Sequence, residues 1–205
     1  MFITLEGPEG SGKSTQLPPL AAYLQEAGYS VVISREPGGT AIGNQVRACL
    51  HDVNNTEMEP TTEFLLYSAS RAQLVREVIR PALAEGKVVL CDRYADSSIA
   101  YQGYGRDLDL GDLRKITEFT TGGLKPDLTF LLDIDVKEGL SRRISGAEEM
   151  NRLDLEAIAF HERVREGYHE LAALDPQRWV LIDAAQSPQE IQQELRTIIM
   201  SRLEQ

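Results

Sequence analysis

The eight residues Gly7-Pro8-Glu9-Gly10-Ser11-Gly12-Lys13-Ser14 constrain this chain more than any other segment. They match the pattern G-x-x-x-x-G-K-[ST] at every fixed position. An apolar run of strand length, Phe2-Ile3-Thr4-Leu5, precedes them, and a helical pattern carrying Leu17, Leu20, Tyr23 and Leu24 follows. Strand, loop and helix in that order predict a phosphate-binding loop. The glycines let the backbone curl so that its N–H groups point inward at phosphate oxygens. The positive end of the new helix adds to the same spot. Lys13 would neutralise the β- and γ-phosphates, and Ser14 would offer its hydroxyl to Mg²⁺. The plain alternative is a glycine-rich turn that only joins strand to helix, and the flanking pattern argues against it.

Strand-like runs alternate with longer helical patterns along the rest of the chain. The runs fall at 2–5, 30–34, 88–91, 128–133 and 179–182. Several are continuously apolar, as strands buried on both faces of a parallel sheet must be. Helices are expected near 14–27, 41–50, 62–85, 97–101, 111–121, 136–143, 155–174 and 188–203. Gly28 and Gly86 stand where C-terminal glycine caps belong. Ser187-Pro188-Gln189-Glu190 reads as a capping box with proline at the first helical position. Strict β–α alternation predicts an α/β fold with a doubly wound parallel sheet, whose ligands bind beyond the carboxyl ends of the strands.

A length of 205 residues suits one compact domain with a substantial core. A net charge of -11 argues against a nucleic-acid partner, which needs a basic stripe. Arginine outnumbers lysine, and its planar fork suits phosphate. Cys49 and Cys91 form no disulfide framework or metal spacing, and Cys91 ends an apolar run like a buried thiol. That usage points to a reducing, cytoplasmic compartment. Nothing near Met1 reads as a signal peptide, and no run reaches membrane-spanning length.

Further motifs sit at strand ends. Arg35-Glu36-Pro37-Gly38-Gly39-Thr40 follows the second strand, and Arg47 lies one to two turns into the next helix. Tyr67 and Arg71 are four apart on a helix, so both project from one face. A ring that stacks and a guanidinium that donates suit a nucleic-acid base, although a core tyrosine beside a surface arginine has the same spacing. Asp92-Arg93-Tyr94 ends the third strand. Its carboxylate can hold a Mg²⁺-bound water and its arginine can bridge two phosphoryl groups, or the two can form a structural salt bridge. Ser97, Ser98, Tyr101 and Gln102 follow directly. His51, His161 and His169 are scattered and read as solvated.

Together these segments resemble the thymidylate kinases. The likeness runs from Gly7–Ser14 through Arg35–Thr40, Tyr67 to Arg71, Asp92-Arg93-Tyr94 and Ser97–Gly103 to Asn151–Asp154 and Phe160–Tyr168. The resemblance implies a five-stranded parallel core in a single domain over 1–205, with a mobile lid at about 144–154. It also implies a homodimer and Mg²⁺-dependent transfer of a phosphoryl group from ATP to dTMP.

Residue roles are implied in the same way. Gly7, Pro8, Glu9, Gly10, Ser11, Gly12, Lys13, Ser14 and Thr15 would hold the donor phosphates, with Ser14 and Asp92 on the metal, the latter through water. Glu9 would bind the acceptor sugar 3′-hydroxyl. Arg35, Arg47 and Arg93 would serve the acceptor phosphate and its transfer, with Glu36 and Pro37 beside them. Tyr67 would stack on thymine, where the family often has phenylalanine, and Arg71 would bond its edge. Ser97, Ser98, Tyr101 and Gln102 would complete the pocket, Tyr101 crowding a ribose 2′-hydroxyl. Asp183 and Ala184 would approach adenine. The lid departs from the frequent Asp-Arg-Phe-Glu, reading Asn151-Arg152-Leu153-Asp154. No basic residue occupies the phosphate loop's variable positions, so Arg142, Arg143 and Arg152 are the donor-side candidates, Arg152 foremost. Kinases of other small acceptors and a nucleotide-dependent switch are the competing classes. The guanine-switch motif Asn-Lys-x-Asp is missing, since no asparagine precedes a lysine.

Overall fold

In a computed structural model, which describes residues 1–146 and 150–204, the chain forms one five-stranded parallel sheet. The strands are β1 (Phe2–Glu6), β2 (Val31–Arg35), β3 (Val88–Asp92), β4 (Leu128–Asp133) and β5 (Trp179–Asp183). They run in the spatial order β2-β3-β1-β4-β5. Each predicted strand appears within a residue or two of its expected bounds. β1 is central and all five of its residues are buried, Thr4 and Glu6 among them. Its register sets Leu5 opposite Asp92 and Glu6 opposite Leu131. The carboxyl ends of β1, β3 and β4 therefore finish side by side.

The helices are α1 (Lys13–Glu26), α2 (Ala41–His51), α3 (Pro60–Leu74), α4 (Arg80–Ala84), α5 (Ala95–Ser98), α6 (Leu110–Thr121), α7 (Val136–Ser145), α8 (Ile158–Leu174) and α9 (Pro188–Leu203). One core cluster packs Leu17, Leu20 and Leu24 of α1 and Ile191, Leu195 and Ile199 of α9 on the sheet. Two others contain Tyr101 with Phe160, Val164 and Tyr168, and Leu74 with Val75 and Ile79. Gly28 and Gly86 take positive φ just past their helices, and Ser187 and Glu190 form the reciprocal cap.

Two helical readings differ in detail. The expected helix over 62–85 is α3 and α4 joined by a π-turn at Val75–Ile79, and the short one over 97–101 is α5 running into a π-turn at Ile99–Gly105. Helical periodicity cannot register an i to i+5 bulge, and such bulges gather at functional sites. The expected 155–174 helix starts at Ile158, preceded by a 3₁₀ turn at Arg152–Leu155 that Asn151 and Asp154 cap reciprocally. Residues 147–149 of the expected lid lie outside the described residues. No described helix is long and apolar enough to cross a membrane.

Candidate active site

The phosphate loop is held open by close backbone packing. Gly7 and Gly10 both have positive φ, and a Cβ on either would collide with the carbonyl of Leu132 or of Gly139 respectively. Gly139 on α7 is thus part of the loop's seating, which no local motif signals. Gly12 caps α1 without a side chain. The first N–H groups of α1 are left to an anion. Lys13 folds back to donate to the carbonyls of Gly7 (3.1 Å) and Pro8 (2.8 Å) and to Ser11 Oγ (3.0 Å). Its burial and the nearby Arg93 lower its pKa to about 8.

At the end of β3, Ser14 Oγ donates to Asp92 Oδ2 at 2.6 Å. The adjacent Arg93 has φ 64, a left-handed conformation costly for a side chain of this size. Its guanidinium spans the site. Nη1 donates to Gly7 O and Tyr168 Oη, both at 2.9 Å, and Nη2 to Glu9 Oε1 at 3.0 Å. Tyr101 Oη also donates to Glu9 Oε1 (2.8 Å), and Arg93 lies over the Tyr101 ring at 4.8 Å. Burial opposes ionisation of Glu9, but Arg93, Lys13 and the Tyr101 hydroxyl outweigh it and hold the carboxyl at about 2.

Around this centre runs one cleft of about 1210 Å³. Most of the sequence-predicted site residues line it, from Glu9 through Thr15 to Arg35, Glu36, Pro37, Arg47, Tyr67, Asp92, Arg93, Ser97, Ser98, Tyr101, Gln102, Arg142 and Arg143. Gly7, Pro8, Arg71 and Arg152 lie outside its wall. Arg71 is buried, donating from Nε to Glu36 Oε2 (2.8 Å) and from Nη2 to Ser98 Oγ (2.8 Å). Arg71 Nη1 and Glu36 Oε1 are buried with no partner among the described residues. Burial raises Glu36 to about 6 against the pull of Arg71.

Arg152 is placed differently from its sequence reading. It is buried on Glu63, which also accepts from Gln102 Nε2 (2.8 Å) and Arg106 Nη2 (3.1 Å). Arg142 and Arg143, in the last turn of α7, stand on the cleft wall. Arg142 donates to Ala184 O (2.8 Å) and Glu138 (2.6 Å), and Arg143 to Asp154 (2.9 Å).

Three residues at the site escaped the sequence reading. Glu6 is buried beneath Arg93, and burial with the nearby Asp96 charge raises its carboxyl to about 7. A carboxylate ending an apolar central strand was the available signal. Tyr168 supports Arg93 from α8, itself anchored by Arg165 on Asp133 (2.7 and 2.8 Å). His51, read as solvated, stands half-buried on the cleft wall, where burial and Arg47 lower it to about 4. His161 is buried rather than solvated, and His169 pairs with Asp133 at 3.1 Å.

Residues 5–195 match the family model described as thymidylate kinase. The chain belongs to the thymidylate kinase family. It is 54% identical over 202 residues to the thymidylate kinase of Deinococcus radiodurans, covering 98% of this chain and 97% of that protein. It is 52% identical over 210 residues to that of Roseiflexus sp. strain RS-1, covering 97% and 93%. A crystal structure of thymidylate kinase from Ehrlichia chaffeensis superposes with a TM-score of 0.79 at 33% identity, over 97% of this chain and 98% of that one. Membership of that family makes the chain a phosphotransferase that moves the γ-phosphoryl group of ATP onto dTMP.

Proposed function

We propose that Arg93 is the centre of this transfer, with ATP on the phosphate-loop side and dTMP on the α3 side. The observation that carries the reading is its placement. One guanidinium reaches Gly7 O of the donor loop and Glu9 at the mouth of the acceptor pocket. Phosphoryl transfer asks for in-line positioning, charge neutralisation and exclusion of water. The acceptor is already an anionic phosphate oxygen, so no strong base is required and no histidine need serve as one.

On the donor side, the loop N–H groups and Lys13 hold the phosphates. Arg142 and Arg143 take the lid-side charge, with Arg152 assigned instead to anchoring on Glu63. On the acceptor side, Arg35 and Arg47 meet the phosphate and Glu9 the 3′-hydroxyl. Tyr67 stacks on the base. The unpartnered Arg71 Nη1 supports a role for Arg71 in bonding a thymine carbonyl. Ser14 and Asp92 are two hard oxygens beside the loop, which fits Mg²⁺. Bound there, Mg²⁺ would offset phosphate charge.

The single domain with a lid over about 144–154, the homodimer and the cytoplasmic location belong to the same reading. The test is ADP release with dTMP, UMP, CMP, AMP and thymidine as acceptors. Preference for dTMP supports the pocket assignment, and equal use of UMP or thymidine overturns it.

A further inference from the structure

Glu6 and Tyr168 carry no role in the transfer as described, yet they are joined to Arg93 at both its ends. Glu6 Oε1 accepts the backbone N–H of Tyr94 at 2.8 Å, fixing the chain just after the left-handed Arg93. Glu6 Oε2 accepts from Ser97 Oγ at 2.5 Å and from Tyr168 Oη at 2.9 Å. Those same two hydroxyls receive Arg93 Nη1, Tyr168 at 2.9 Å and Ser97 at 3.4 Å. The two hydroxyls also lie 2.8 Å from each other, so Glu6, Ser97, Tyr168 and Arg93 Nη1 form one closed hydrogen-bonded network. Glu6 and Tyr168 are both fully buried, so water offers no substitute partner.

We infer that Glu6, acting through Tyr168 and Ser97, is a positioning residue that sets the Arg93 guanidinium for phosphoryl transfer. The inference rests on the role proposed for Arg93. Three of the four groups around Nη1 and the following backbone (Tyr168, Ser97 and Tyr94 N) converge on one carboxylate. Losing Tyr168 Oη leaves Nη1 with Gly7 O and the longer Ser97 contact, so the guanidinium is no longer fixed on its Tyr168 side. Replacing Glu6 by glutamine presents an amide donor either to Tyr94 N–H or to the two hydroxyls. In the second case the hydroxyls must accept from the amide, and their own hydrogens, with no acceptor at position 6, compete with the Arg93 N–H groups.

The test is a double-mutant cycle on the full chain, comparing Tyr168→Phe, Arg93→Ala and the pair. Tyr168→Phe is expected to lower kcat by about 10- to 100-fold, the scale of a displaced reacting group. KM for ATP and dTMP should stay within a few-fold. In the Arg93→Ala background the same change should have almost no further effect on kcat. Glu6→Gln should behave in the same way, and circular dichroism melting identifies any variant that fails to fold, Tyr168→Phe standing on its own if Glu6→Gln does. An unchanged kcat for Tyr168→Phe overturns the inference, as does an equal loss with and without Arg93. If Arg93→Ala itself keeps wild-type kcat, the role of Arg93 falls, and the inference with it. Those outcomes are distinct in the data.

Discussion

Arg152 and Glu63 form a buried ion pair that ties the 3₁₀ turn at Arg152–Leu155 to α3, the helix carrying Tyr67 and Arg71. Glu63 keeps Arg106 and Gln102 when Arg152 is removed, so the loss belongs at the low end for breaking a buried pair, about 3 kcal/mol. Arg152→Ala is expected to lower the urea midpoint and raise KM for dTMP through Gln102. Its kcat should fall less than that of Arg142→Ala combined with Arg143→Ala. Unchanged stability with a hundred-fold loss of kcat would return Arg152 to the donor phosphates.

Arg71→Ala should weaken dTMP use and also destabilise the protein. The base contact, a hydrogen bond from a charged donor, is worth about 1.5–3 kcal/mol, so KM for dTMP should rise at least roughly ten-fold while KM for ATP does not. The substitution also strands Glu36, whose carboxylate has Arg71 as its side-chain partner. Glu36→Ala added to Arg71→Ala should restore part of the lost stability but none of the dTMP affinity. If the double variant regains dTMP affinity, Arg71 acts only by neutralising Glu36.

Lys13→Ala should cost at least about 100-fold in kcat, the usual result of removing a donor to developing charge. Its three bonds to the loop mean that the side chain also braces the loop backbone, so a modest fall in melting temperature should accompany the loss. Activity within a few-fold of wild type in a folded variant would remove Lys13 from the phosphate site.

The sheet and the phosphate loop were legible in the sequence for physical reasons. Strands buried on both faces are mostly apolar, and a loop that cradles phosphate by its backbone must have glycine at fixed positions. Contacts between distant segments were not legible. Gly139 seats Gly10, Glu6 lies under Arg93 and Glu63 gathers two arginines, all across long sequence separations with no local spacing to mark them. Arg152 shows the limit directly. Its type and place beside a lid motif suit a phosphate, and only the fold reveals the buried carboxylate that takes it.

Tyr101 joins two functions that separate substitutions can divide. Its ring packs under Arg93 and its hydroxyl holds Glu9. Tyr101→Ala should reduce the kcat/KM preference for dTMP over its ribose analogue, because a steric wall acts only on the wrong substrate. Tyr101→Phe keeps the wall and loses the bond to Glu9, so the preference should persist while kcat/KM for dTMP falls by about ten-fold, as one hydrogen bond to a charged group predicts. An unchanged preference in the alanine variant would remove Tyr101 from discrimination.

Glu9 makes stability depend on pH in a direction that can be checked. Its carboxyl is held at about 2 in the folded chain, below the ordinary 4.5, because Arg93, Lys13 and Tyr101 outweigh its burial. A depressed carboxyl contributes stability that is fully present above the unfolded value and is lost as pH falls toward the folded one. Wild type should therefore be more stable than Glu9→Gln by a constant margin from about pH 8 to pH 5.5. The margin should shrink steadily below about pH 4.5, since the glutamine variant has no proton to take up. Urea unfolding of both proteins at several pH values in that range measures it. The same ionisation means that the acid limb of kcat/KM for dTMP belongs to another group, so Glu9→Gln should lower that curve without moving its midpoint. A margin that stays constant down to pH 3, or one that widens, would show that Glu9 is not held ionised by Arg93 and Lys13.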